Sequence, residues 1–129
     1  MDTVPIPDKL KRFILLAIPS VPYLEAALLL RGDPQKLWDR NEILQRLYLN
    51  DTAAQSLLAD LKAGGILVND TQEPACYRYQ PRTPELKEML DLLSAVYPKN
   101  LVDVTNLIHS KVNRQAQMFA DAFLLRKGK

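Results

Sequence analysis

Residues 54–68, Ala-Gln-Ser-Leu-Leu-Ala-Asp-Leu-Lys-Ala-Gly-Gly-Ile-Leu-Val, change periodicity halfway along. Ala54, Leu57, Leu58 and Leu61 fall at i, i+3, i+4 and i+7, which places them on one face of a helix. The glycine pair then interrupts the pattern, and Ile66-Leu67-Val68 is a short β-favouring run. A helix must therefore end at Gly64-Gly65, where glycine supplies a left-handed conformation, and pass the chain directly into a strand. A second β-favouring run, Cys76-Tyr77-Arg78-Tyr79, follows the polar stretch 69–74, so the two strands form a hairpin.

The segment before this junction is also punctuated. Leu37-Trp38 is a short apolar element. Asp39 and Glu42 have the spacing of a capping box, and Ile43, Leu44 and Leu47 form the stripe of a short helix. Tyr48-Leu49-Asn50 reads as a turn, with Asp51 as cap of the next helix. Upstream, Leu10, Phe13, Ile14, Ala17 and Ile18 share a helix face between Pro7 and Pro19. Ser20 is the expected cap of a second helix with Pro22 in its first turn and Leu24, Ala27 and Leu28 as its stripe. That helix ends at Arg31-Gly32-Asp33-Pro34, a terminating turn that accounts for the Arg-Gly-Asp tripeptide without an adhesive role.

Downstream, Thr83-Pro84-Glu85 opens a helix carrying Leu86, Met89, Leu90, Leu93, Val96 and Tyr97. Pro98 should kink or split it before Leu101, Val104, Leu107 and Ile108 resume the pattern. A last helix is expected with Ala116, Phe119, Ala122 and Phe123 on one side.

The fold class expected is mainly α with a small β-hairpin. The order helix, short β element, helix, tight turn, helix, hairpin across residues 37–79 resembles the winged helix-turn-helix superfamily, in particular its bacterial MarR-like and PadR-like transcriptional regulators. The resemblance implies a winged-helix domain over 1–98, with a helix-turn-helix at about 39–63 and a wing at about 66–79. Residues 99–129 would be a C-terminal helical extension belonging to the same compact unit. With 129 residues and 47% hydrophobic composition the chain can bury one core and has no length to spare for a second.

In that superfamily the second helix of the motif lies in the DNA major groove while basic residues around it grip phosphates. The burial stripe leaves Thr52, Gln55, Ser56, Ala59 and Ala63 on the opposite face, of which Thr52, Gln55 and Ser56 can bond to base edges, glutamine suiting adenine. Arg40, Arg46, Lys62, Arg78 and Arg82 are the candidate phosphate contacts, and duplex DNA the expected partner. Against this stands the charge balance: from Asp39 to Arg82 five basic side chains face six acidic ones, a net of −1, and the wing loop carries Asp70 and Glu73. Most DNA affinity comes from neutralising phosphates. A winged helix that docks a protein through the uncharged face of Ala53, Gln55, Ser56, Ala59 and Ala63 is the alternative. Trp38, Tyr48, Tyr77 and Tyr79 could stack on bases, but are better read as core. Leu90, Leu93, Tyr97, Val104, Phe119 and Phe123 are candidates for a homodimer seam, or equally for a core covering the first helix.

Catalysis is not expected. The single histidine, His109, falls near a helix end, and the single cysteine, Cys76, in a strand with no basic partner nearby, reads as a small core hydrophobe; neither can assemble a metal site or a nucleophile–base pair. No glycine-rich phosphate loop is present and no cofactor is expected. One unpaired cysteine suits a reducing compartment, hence a cytoplasmic protein. Lys9, Lys11 and Arg12 before the apolar run 13–18 imitate a signal peptide, but the run is cut by Pro19 and Pro22, so a core helix and no membrane span are expected. The positive charge gathers at the end: from Lys99 on, six basic residues face two acidic ones, leaving −2 for the first 98 residues of a chain whose total is +2. The terminal Arg126-Lys127-Gly128-Lys129 could touch an anion, and an amphipathic anchor on Phe119 and Phe123 is a third reading.

Overall fold

The computed structural model describes residues 5–110. The architecture is mostly helical with one small antiparallel sheet. Helix α1 (Asp8–Ala17) buries Leu10 and Ile14, and Ile18 just past its end is also buried. Helix α2 (Val21–Arg31) is capped by Ser20, whose hydroxyl accepts from the Tyr23 amide at 3.2 Å, with proline in its first turn. It is the central helix: Tyr23, Leu24, Ala26, Ala27 and Leu30 are all buried, a wider face than a single stripe, because α2 packs against several elements at once. Among the described residues no single helix is long and apolar enough to cross a membrane; α1 and α2 together have the composition but meet at 111°.

Helix α3 (Arg40–Leu47) begins with the expected capping box. Asp39 Oδ1 accepts from the Glu42 amide at 2.8 Å, and Glu42 Oε1 accepts from the Asp39 amide at 3.0 Å. It ends at Tyr48, which adopts the left-handed conformation (φ 56°) that glycine or asparagine usually takes. Helix α4 (Asp51–Ala63) follows after three residues, with Ala54, Leu57, Leu58 and Leu61 buried. Its cap differs from expectation. Asn50, in extended backbone, accepts from the Ala53 amide at 2.8 Å, and Asp51 is the first helical residue. The cap must lie outside the helix, and the chain enters helical geometry one residue earlier than Asp51 would require. Asp51 keeps a favourable place in the first turn, but its carboxylate is released from capping.

The glycine pair divides its task. Gly64 is still right-handed, and a Cβ there would collide with the buried Tyr23 hydroxyl; Gly65 supplies the left-handed turn (φ 78°). Strands β1 (Leu67–Asn69) and β2 (Tyr77–Tyr79) then pair antiparallel, Leu67 opposite Tyr79, Val68 opposite Arg78 and Asn69 opposite Tyr77. Leu67 and Tyr79, directly opposed and both buried, fasten the hairpin to the core. Trp38 adds an isolated bridge to β2: its amide donates to the Tyr77 carbonyl at 2.9 Å and its carbonyl accepts from the Tyr77 amide at 2.7 Å. Cys76 lies one residue outside β2 and is half-buried, so it is neither a strand residue nor a core one, contrary to expectation.

Helix α5 (Pro84–Val96) is capped by Thr83, and a 3-10 turn (Tyr97–Lys99) containing Pro98 separates it from α6, which begins at 101 and is described to 110. The buried Asn100 braces this break, its side-chain amide donating to the Val96 carbonyl at 3.2 Å. Leu90, Leu93, Tyr97 and Val104 are buried in the same cluster as the α1, α2 and α4 leucines. The expected dimer seam therefore does not use them: each is spent covering the chain's own core. Leu101, expected on the buried stripe of α6, stands at the first position of that helix and is 51% exposed. Phe119, Phe123 and the basic terminus lie outside the described residues, as does the last expected helix.

Candidate nucleic-acid interface

Burial of the Leu57-Leu58-Leu61 side of α4 leaves Thr52, Gln55, Ser56, Ala59 and Ala63 exposed along the other side. Thr52, Gln55 and Ser56 sit within the first two turns, so three neutral side chains with donors and acceptors cluster at the N-terminal half of the helix. Tyr48, in the turn before it, is 95% exposed and is not core, unlike Trp38 and Tyr79, which are buried.

The basic candidates do not form one patch. Arg40, at the first position of α3, reaches the first position of α4, its Nε 3.1 Å from Asp51 Oδ1. Arg46 turns the other way, its guanidinium carbon 5.9 Å from the centre of the Trp38 indole, over which Lys36 Nζ also lies at 5.0 Å. Lys36 in turn is paired with Glu42 at 2.8 Å, and that contact, with the Asp39 amide bonded to the same carboxylate, holds Glu42 below its usual range. Lys62 is exposed, eleven residues beyond Asp51 and so about 16 Å along the helix axis. Arg82 lies at the far end of α4, its side chain against Gly65 and its amide donating to the Gly65 carbonyl at 2.8 Å. Neither Lys62 nor Arg82 is in an ion pair with another described residue.

Arg78 belongs to the hairpin itself. Its Nη2 donates to Asp70 Oδ1 at 3.0 Å, while Asp70 Oδ2 accepts from the amides of Gln72 at 3.1 Å and Glu73 at 2.9 Å. The Arg78 guanidinium and these two amides keep the Asp70 carboxyl below its ordinary range. The loop is closed further by Asn69 Nδ2 donating to the Pro74 carbonyl at 2.9 Å and by the Asp70 amide donating to the Cys76 carbonyl at 2.9 Å. Cys76 Sγ is 3.6 Å from Glu73 Oε2; burial and that carboxylate push the thiol up, the opposite of what a nucleophile needs.

The described residues hold no cluster of three or more His, Cys, Asp or Glu side chains placed to bind a metal, and His109 is exposed on α6. A cavity of about 640 Å³ lies between the start of α1 and α6, lined in part by Ile6, Lys11, Asn100, Asp103 and Leu107, with none of the α4 face in its wall.

Two features of this surface escape a linear reading. The Arg40–Asp51 pair depends on how α3 crosses α4, for which no sequence signal exists. The role of Asp70 did have one: an aspartate followed two and three residues on by free amides in a polar loop is the pattern of an Asx turn. Comparison with protein-family models, with curated proteins and with solved structures finds no match to this chain, so its own geometry carries the functional reading.

Proposed function

We propose that this chain is a non-catalytic winged-helix module that binds duplex DNA as a transcriptional regulator, with the exposed face of α4 as its reading surface. One observation carries the reading: a helix anchored by a fully buried leucine stripe presents Thr52, Gln55 and Ser56, all neutral and all able to hydrogen-bond, beside the N-terminus of α3 where Arg40 sits. Entering the major groove N-terminus first, α4 brings Gln55 to an adenine edge and Thr52 and Ser56 to neighbouring bases. Arg40 and Lys62 supply phosphate contacts, with Arg82 at the far end; Arg46 is turned to Trp38 and Arg78 serves chiefly to hold the hairpin loop. A cytoplasmic homodimer would present two such helices about 34 Å apart, one helical turn of DNA. Its seam would be built from residues other than the four now assigned to the core.

Fluorescence anisotropy with mixed duplex fragments tests this. Salt-sensitive binding is expected, weakened by Lys62→Ala across all sequences and altered in sequence preference by Gln55→Ala. No binding even at low salt ends the DNA reading.

A second reading, a protein-docking winged helix, is favoured by the Arg40–Asp51 pair beside the uncharged exposed residues of α4 and by the Arg78–Asp70 pair, which neutralises the hairpin arginine. A small uncharged face packs against protein with little desolvation cost. Ala59→Arg should abolish such docking, whereas salt-sensitive binding to mixed-sequence duplex should remain measurable, so this one substitution separates the two.

A further inference from the structure

Asp51 occupies an unexpected place for a residue on a DNA-reading helix: it puts a carboxylate at the helix end that would approach the duplex. Capping does not require it, because Asn50 already satisfies the Ala53 amide. Among the described residues its contact is the Arg40 ion pair at 3.1 Å, with 63% of the Asp51 side chain and 44% of the Arg40 side chain exposed. An exposed pair of this kind is weak, since water screens both charges, so an approaching phosphate can take the guanidinium from the carboxylate. The hairpin arginine offers no such exchange, being held by a carboxylate that two backbone amides also fix.

Resting on the DNA reading above, we infer that Asp51 is a specificity-determining residue: it holds Arg40 away from the DNA backbone and thereby lowers sequence-independent affinity, leaving discrimination to Thr52, Gln55 and Ser56. Only sequence-specific binding then moves Arg40 from Asp51 to phosphate; on other sequences Arg40 stays with Asp51. The exchange costs little where α4 is seated by its base contacts, and its absence weakens attachment wherever α4 is not.

The test is anisotropy of a labelled mixed-sequence duplex over a salt series, using the full chain with Asp51→Asn, Arg40→Ala and the double variant. Thermal melts check that each folds, which the intact Asn50 cap favours. Asp51→Asn should bind the duplex roughly 3- to 10-fold more tightly at low salt, and the slope of log K against log salt should steepen by about one phosphate contact. In the Arg40→Ala background the same substitution should leave the slope unchanged. An equal gain and equal steepening in both backgrounds would mean that Asp51 only repels phosphate, and would overturn the inference. So would no change at Asp51→Asn in a wild-type protein that binds; if neither wild type nor variant binds at any salt, the DNA reading itself fails and takes the inference with it.

Discussion

In the hairpin loop, Asp70 takes three hydrogen bonds, two from backbone amides and one from Arg78, and its side chain is 10% exposed. At the α3–α4 junction, Asp51 meets Arg40 in a single ion pair and keeps almost two thirds of its side chain in water. The partners are chemically the same and their distances nearly so. What differs is the backbone around them: a carboxylate that terminates free amides is part of the fold, and one that only faces a guanidinium is part of the surface. On the proposed DNA reading, this decides which arginine is available to phosphate.

Several substitutions would break or sharpen the contrast. The largest effect is expected from Leu61→Ala, which removes a fully buried side chain from the helix that carries one pair and leads into the hairpin that carries the other. Denaturant titration should show a loss of about 2–5 kcal/mol. Next comes Gly64→Ala, whose methyl group meets the buried Tyr23 hydroxyl. A loss of about 1–3 kcal/mol is expected, and Tyr23→Phe in the same chain should recover much of it by removing the colliding oxygen. No recovery would mean that the backbone, and not the tyrosine, sets the need for glycine there.

Smaller in reach is Asp70→Ala, which should lower the urea midpoint without unfolding the helices and speed hydrogen exchange at the Gln72 and Glu73 amides. If those amides stay as protected as before, the loop does not depend on Asp70 and the contrast with Asp51 fails. Acid should reveal the hold on Asp70. The carboxyls of Asp70, Glu42 and Asp91 are each held below their ordinary values of 3.8, 4.5 and 3.8, Asp91 mainly by Lys87 and then by Arg31. Depressed folded values mean stability that is fully present above the unfolded values and is lost as pH falls through the folded ones. Stability should therefore be flat near neutrality and decline as pH drops below about 4.5, with a shallower decline in Asp70→Ala. The smallest effect belongs to the exposed pair: Arg40→Ala should change stability by no more than about 0–1 kcal/mol while weakening duplex binding. A large stability loss there would assign Arg40 to the fold.

Much of the frame is legible in the linear chain. The Asp39–Glu42 capping box, the Ser20 and Thr83 caps, the inward leucines at 57, 58 and 61 and the break at Pro98 all follow from spacing within one or two turns. Less legible is anything set by competition between neighbours or by distance. Asn50 and Asp51 are both good caps, and only the point at which the backbone turns helical chooses between them. Leu90, Leu93, Tyr97 and Val104 have the same periodicity whether they face the chain's own core or a partner, and it is the packing of α5 and α6 that buries them. Tyr48 reads as one more aromatic of the core until the left-handed turn carries it into solvent.

Local chemistry thus determined where helices begin and end, which face of α4 turns inward and where a glycine must stand, because those choices are made by groups within four residues of one another. Tertiary structure alone decided that Arg40 meets Asp51, that Arg46 turns to Trp38 and that Tyr23 fills the space a side chain at position 64 would need. These contacts depend on the angles at which separate helices cross, and a helix's own sequence says which side it buries but not what it is buried against.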